Sequence, residues 1–183
     1  MNSFKYGEDY LSSSIALSIA KSTCEGILTE ETIEKINQSA NYVQEIVDSG
    51  KVVYGINTGF GPLCTTLISR QDTKKLQENI LKSHAVGVGD PIDKELSKLM
   101  MILKVHALAK GYSGIQLSTV ERIIWHIQND LVPVVPKQGS VGASGDLAPL
   151  SHLFLPLIGL GKIWKEGKPV DTATVLGEYN MNP

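Results

Sequence analysis

Three glycines, at 139, 142 and 145, are separated only by small residues in the stretch KQGSVGASGDLAPLSHL (Lys137 to Leu153). Glycine at that density is entropically costly to fold, so the backbone there needs conformations or approaches that a Cβ forbids. The stretch offers a nucleophilic serine, an anion cradle, or chemistry performed by the backbone itself. A nucleophile elbow needs G-x-S-x-G, but Ser144 is followed by Gly145 and Asp146, with no glycine two places on. A phosphate loop needs G-x-x-x-x-G-K-[ST], and no lysine follows the glycines. A general anion site at the N-terminus of the helix after Gly145 stays open, as does a tight glycine turn feeding a capped helix.

Backbone chemistry gives every residue of Ala143-Ser144-Gly145 a reason. The amide nitrogen of Gly145 attacks the carbonyl carbon of Ala143 and closes a five-membered ring. The carbonyl oxygen leaves as one water, and the Ser144 hydroxyl leaves with its α-proton as a second, giving an exocyclic methylene. Glycine presents the least hindered nitrogen, alanine the least hindered carbonyl, and serine a hydroxyl that can be eliminated. Gly142 lets the backbone compress, and Asp146 is placed to assist proton transfer. The product is a strong electrophile, which ordinary side chains do not offer.

GSVGASGDLAPLSHL (139–153) resembles, nearly residue for residue, the signature of the aromatic amino acid ammonia-lyases, whose methylidene-imidazolone (MIO) group is made from Ala-Ser-Gly. YGINTGFG, from Tyr54 to Gly61, is similar to the family's tyrosine loop. LQENILKSHAVGVG, from Leu76 to Gly89, is similar to a segment of its histidine-directed members. The motifs stand in the family's order, and LAKGYSGIQ is similar too.

The resemblance implies an MIO electrophile formed autocatalytically from Ala143, Ser144 and Gly145, with Asp146 helping and no metal or external cofactor. It makes Tyr54 the base that takes the substrate's β-proton, and His84 a group touching the substrate's ring or carboxylate. The implied reaction is elimination of ammonia from L-histidine to give trans-urocanate, in a homotetramer. Tyrosine- or phenylalanine-directed lyases, aminomutases, and a non-catalytic assembly module remain as alternatives. The implied fold is the mainly α N-terminal domain of the fumarase/aspartase-like ammonia-lyase fold, covering residues 1–183. Family members are much longer, so the chain is expected to be a truncated or fragmentary lyase, inactive alone.

The same residues have plainer readings. A free tyrosine has a pKa of about 10, so Tyr54 as a base needs help from its surroundings, and a loop aromatic packing on the core is the alternative. His84 sits about 80° from Leu76 around a helix, between Ile80 and Leu81, where a hydrogen-bonded core histidine is the ordinary occupant. Asn57, Gly59 and Gly61 are expected to shape the loop beside Tyr54.

The elements that must position these groups are mostly helical. TEETIEKINQSANYVQEIVDSG carries Ile33, Ile36, Val43, Ile46 and Val47 on one stripe, and Gly50 ends it. KVVYGIN is a strand or extended segment. Ser69 and Asp72 make a capping-box-like start for the helix bearing Leu76, Ile80, Leu81 and His84. DPIDKELSKLMMILKVHALAKGYSG is a helix with Leu96, Leu99, Met100, Leu103 and Ala107 inward. Ser118 and Glu121 form a capping box before Val120, Ile123, Ile124 and Ile127. Asp146 caps a last helix with Pro149 in its first turn. KIWKEGKPV is a hairpin turning at Glu166–Gly167, and TATVLGEYNMNP has no evident closing element.

Composition excludes other functions. Seventeen Lys and Arg against 19 Asp and Glu leave a formal charge of −2, with no basic stripe for nucleic acid. Aromatics are 6% of the chain, too few for a base-stacking surface. Cys24 and Cys64 form no C-x-x-C pair, and His106, His126 and His152 show no metal-ligand spacing. The polar start lacks a signal peptide's apolar core, and no run approaches the roughly 18 apolar residues of a membrane span. The expectation is a soluble, cytoplasmic protein of one domain.

Overall fold

A computed structural model describes residues 2–59, 65–140 and 144–182. The expectations for Gly61, Cys64, Gly142 and Ala143 fall outside those residues. In chain order the elements are β1 (Asn2–Lys5), α1 (Ser13–Ala20), β2 (Cys24–Ile27), α2 (Glu30–Ser49), α3 (Arg70–His84), β3 (Val88–Pro91) and α4 (Lys94–Leu108). There follow α5 (Leu117–Gln128), β4 (Pro136–Gln138), α6 (Leu147–Phe154), β5 (Lys162–Lys165), β6 (Lys168–Asp171) and α7 (Thr172–Glu178). The mainly helical expectation holds, with three two-stranded ribbons among the described residues: β1–β2 parallel, β3–β4 and β5–β6 antiparallel.

The core gathers where α1, α4 and α5 meet, around Ile19, Met101, Ile102, Val105, Val120 and Ile123. Helix α2 begins at Thr29, whose hydroxyl accepts from the Thr32 amide at 3.2 Å, and ends at Gly50 in the left-handed conformation. Ile36 of its expected stripe is fully buried, while Ile33, Val43, Ile46 and Val47 are half-buried. Helix α3 starts as expected: the Ser69 hydroxyl accepts from the Asp72 amide and lies 2.6 Å from the Asp72 carboxylate. The β5–β6 hairpin turns at Glu166–Gly167.

Four expectations are corrected. On α4 the buried face is Ser97, Lys98, Met101, Ile102 and Val105, whereas Leu96 and Leu103 are 51% and 54% exposed and Ala107 faces outward. Lys98 can lie inward because its ammonium reaches Asp130 at 2.9 Å. Helix α5 starts earlier than a Ser118 cap requires: Gln116 is the cap residue, its carbonyl accepts from Thr119 and Val120, and Ser118 lies inside the helix. Residues 51–57 form no strand; they run irregularly into a turn at Tyr54–Ile56. The final segment does close, because α7 buries Thr172, Val175 and Leu176 beside the β5–β6 hairpin.

His126 is buried, and its Nδ1–H donates to the Leu131 carbonyl at 3.2 Å, leaving Nε2 without a partner. Burial, reinforced by the nearby Arg122 charge, pushes its pKa down to about 4. The unfolded imidazole binds its proton near pH 6.5, so stability is fully present above that value and is lost as pH falls toward 4. The expected contribution is on the order of 3 kcal/mol. Burial also lowers His106 and His152, so a variant comparison isolates the effect. Denaturant midpoints taken from pH 7 to pH 4 should fall less steeply in His126→Asn; parallel curves would remove His126 as the cause.

Candidate site where two glycine segments meet

Two glycine-bearing segments touch through their backbones at Gly87 and Gly139, which are 52 residues apart in sequence. Helix α3 ends at His84 and leads through Gly87 into β3, which pairs with β4 just before the glycine stretch. Gly139 has φ +140°, and a Cβ placed on it would come within 2.8 Å of the Gly87 Cα and 3.4 Å of the Ala148 Cβ. Only glycine meets both the conformation and the approach. The Gly87 amide donates to His152 Nε2 at 2.9 Å, so α6 holds the end of α3 through a side chain. That bond places the His152 proton on Nδ1, and burial lowers the pKa of the ring, so the neutral acceptor form is favoured.

These groups frame a hollow of about 100 Å³ bordered by Gly87, Gln138, Gly139, Ser140, Ala148 and His152. Ligand pockets usually begin near 300 Å³, so the hollow is too small to be a complete site by itself.

The glycine stretch folds back on itself at its far end. Gly145 sits at φ +70°, and the Ser140 hydroxyl donates to its carbonyl. A Cβ at position 145 would lie 2.8 Å from the Ser140 Oγ. Ser144 and Asp146 are exposed. Asp146 is the cap residue of α6 as expected, but its side chain makes no capping hydrogen bond, so the carboxylate is not committed to the helix end. Ala143 lies outside the described residues.

His84 is half-buried rather than part of a closed core. Its Nδ1–H donates to the Ile80 carbonyl at 2.9 Å, because a carbonyl only accepts. In the neutral ring this tautomer leaves Nε2 as the acceptor nitrogen. Packing of α3 against α6 brings the His84 segment alongside the one that leads from Ser144.

Tyr54 is 62% exposed, so it is not a core-packing aromatic. It rides on the turn ahead of α3, and Asn57 secures that turn. Asn57 is 3% exposed; its Oδ1 accepts from the Val53 amide at 2.9 Å and its Nδ2 donates to the Lys51 carbonyl at 2.7 Å. Its own carbonyl accepts from Ile68, which closes the loop on the approach to α3. The loop-shaping expectation for Asn57 thus has its physical form. Asn57→Ala should cost roughly 1–3 kcal/mol, because two backbone groups lose their partner. Limited proteolysis within 51–57 should accelerate; an unchanged cleavage rate would mean that other contacts hold the turn.

The structure therefore joins the His84 and Ser144 segments directly, while Tyr54 follows by connectivity, one loop ahead of α3. His106 accepts from the Gly7 amide at 3.2 Å and packs on Phe4, far in role from the glycine stretch. Two residues of the site had drawn no functional reading from sequence, His152 and Ser140. His152 carried a signal, being four residues after Ala148 and so on the same face of α6. Ser140 passed as one more small residue between glycines.

Comparisons with known proteins bear on what such an arrangement does. The family model for aromatic amino acid lyases matches residues 11–183. The histidine ammonia-lyase of Staphylococcus saprophyticus is 44% identical over 156 residues, covering 85% of this chain and 31% of the relative. The chain thus spans just under a third of the length of the curated relatives it matches. Among solved structures, histidine ammonia-lyase from Trypanosoma cruzi superposes with a TM-score of 0.88 at 32% identity, over 100% of this chain and 36% of that one. Tyrosine aminomutase from Streptomyces globisporus gives the same TM-score, 0.88, at 28% identity, over 98% of this chain and 34% of that one.

Proposed function

Because the chain belongs to the aromatic amino acid lyases, we propose that it carries the electrophile-forming part of a histidine ammonia-lyase. Such an enzyme removes ammonia from L-histidine without oxidation and releases trans-urocanate. The observation that carries the reading is Gly145, held at φ +70°, a backbone conformation that residues with a side chain rarely adopt. Ring closure from a backbone nitrogen needs that freedom at the attacking residue. Ser144, exposed, and Gly145, left-handed, suit an MIO group built from Ala143, Ser144 and Gly145.

When formed, the MIO group supplies an electron-poor carbon that engages the substrate's amino group or ring. The chain's own residues do the rest. Asp146, uncommitted to its helix end, accepts and returns protons while Gly145 nitrogen bonds to Ala143 carbon and two waters leave. Tyr54, exposed on its turn, takes the substrate's β-proton at its phenolate oxygen and so returns to the neutral phenol. His84 presents Nε2 as an acceptor for the N–H of an imidazole ring. His152 keeps the end of α3 seated against the glycine stretch.

The proposed setting is a cytoplasmic homotetramer in which residues 1–183 form one N-terminal helical domain. The small hollow supports this, since the rest of a substrate pocket has to come from other chain. No helix among the described residues is long and apolar enough to cross a membrane. Among those residues no group of three or more acidic, histidine or cysteine side chains could hold a metal.

The test is a substrate panel of histidine, tyrosine and phenylalanine. It is run on the chain alone and after its fusion to the C-terminal two-thirds of a related lyase. Ultraviolet-absorbing urocanate from histidine in the fused form is the expected result. The likeness to tyrosine aminomutase supports a second reading, which a β-amino acid product from tyrosine would establish instead. No product from any substrate in either form would leave only an assembly module.

A further inference from the structure

We propose that Ser140 is the positioning residue for closure of the Ala143-Ser144-Gly145 ring, a role that rests on the lyase reading above. Ring closure has a geometric difficulty: the Gly145 nitrogen must approach a carbonyl carbon two residues earlier, and an open loop samples that approach rarely. The structure shows how the loop's two ends are tied. At its base, Gly139 is seated against Gly87 and Ala148, so position 140 starts from a fixed point. At its far end, the Ser140 hydroxyl donates to the Gly145 carbonyl. The hydroxyl therefore draws residue 145 back to the base of the loop and selects its left-handed conformation.

The bond acts on geometry rather than on electronics. The Gly145 carbonyl belongs to the peptide group that follows the residue, whereas the attacking nitrogen belongs to the group that precedes it. Donation to that oxygen fixes the orientation of Gly145 about its Cα and hence the direction of its nitrogen. Proton transfer remains with Asp146. Ser140 is consumed in no step and loses no atom.

The test compares the full chain with Ser140→Ala and Ser140→Thr by intact mass, with peptide mapping across residues 139–153. The wild type should lack two waters across Ala143–Gly145. Ser140→Ala should convert about ten-fold more slowly, the effect of one lost hydrogen bond, and Ser140→Thr should restore conversion through its own hydroxyl. Thermal unfolding is followed alongside; an exposed loop serine should leave the midpoint unchanged, which separates slow closure from misfolding. If Ser140→Ala converts at the wild-type rate, the positioning role is overturned while the lyase reading stands. If Ser140→Thr is as slow as alanine, the hydroxyl is not the operative group and the proposal also fails. A wild type that retains both waters overturns the electrophile reading itself, and the clamp with it.

Discussion

Ser144→Ala is expected to abolish turnover, by at least about 10³-fold in the fused lyase, while the chain keeps its fold. Alanine has no hydroxyl to eliminate, so the exocyclic methylene cannot form even if Gly145 still reaches Ala143. Ser144 is exposed, and its loss costs the core nothing. The variant should therefore unfold at the wild-type temperature, produce no urocanate, and show no loss of a second water at position 144. Normal turnover by Ser144→Ala would end the electrophile reading, because no other residue of the motif can supply the methylene.

Gly139→Ala should act on both stability and site geometry. A side chain there is forced into a conformation that L-residues rarely adopt and into contact with the Gly87 backbone, which cannot rotate away. The expected cost is roughly 2–4 kcal/mol. Relief requires the α3 end to separate from the glycine stretch, which breaks the Gly87–His152 bond and moves His84. A lowered denaturant midpoint together with slower water loss at Ser144 is the predicted pair. A destabilised variant that still closes its ring at the normal rate would show that the approach of Gly87 serves the fold alone.

The parts of this molecule that were legible in sequence are those governed by local rules. Gly50 ends α2, Ser69 caps α3, and the turn at Glu166–Gly167 folds back because each depends on a few neighbouring residues. The α4 face was not legible. That helix carries six polar or charged residues, and its buried stripe includes two of them, Ser97 and Lys98, so periodicity favoured the stripe through Leu96 and Leu103. Which side turns inward is set by the packing of Met101, Ile102 and Val105 against α1 and α5, and the distant Asp130 lets Lys98 share that side. The Ser118–Glu121 pattern is similar: it satisfied the rule for a cap, but the helix had already begun after Gln116.

In the candidate site, residue types announced the chemistry while the packing stayed hidden. Ala-Ser-Gly has a chemical reason in its own residue types, whereas Tyr54 is singled out only by the resemblance of its loop to that of the family. His152 and Ser140 act through atoms 65 and 5 residues away, and such partners follow from topology.

The span of that His152 bond bears on the order in which the chain acquires structure. Its two ends are 65 residues apart, with all of α4 and α5 between them. Closing so long a segment is slow unless the intervening helices have already shortened it. The α4–α5 pair, built on near-neighbour contacts, is then the natural first event, and docking of α6 under Gly87 a later one. During refolding the Gly87 amide should gain protection from pulse-labelled hydrogen exchange after those of α4 and α5. The glycine stretch would thus be seated against the end of α3 only once the scaffold beneath it is rigid.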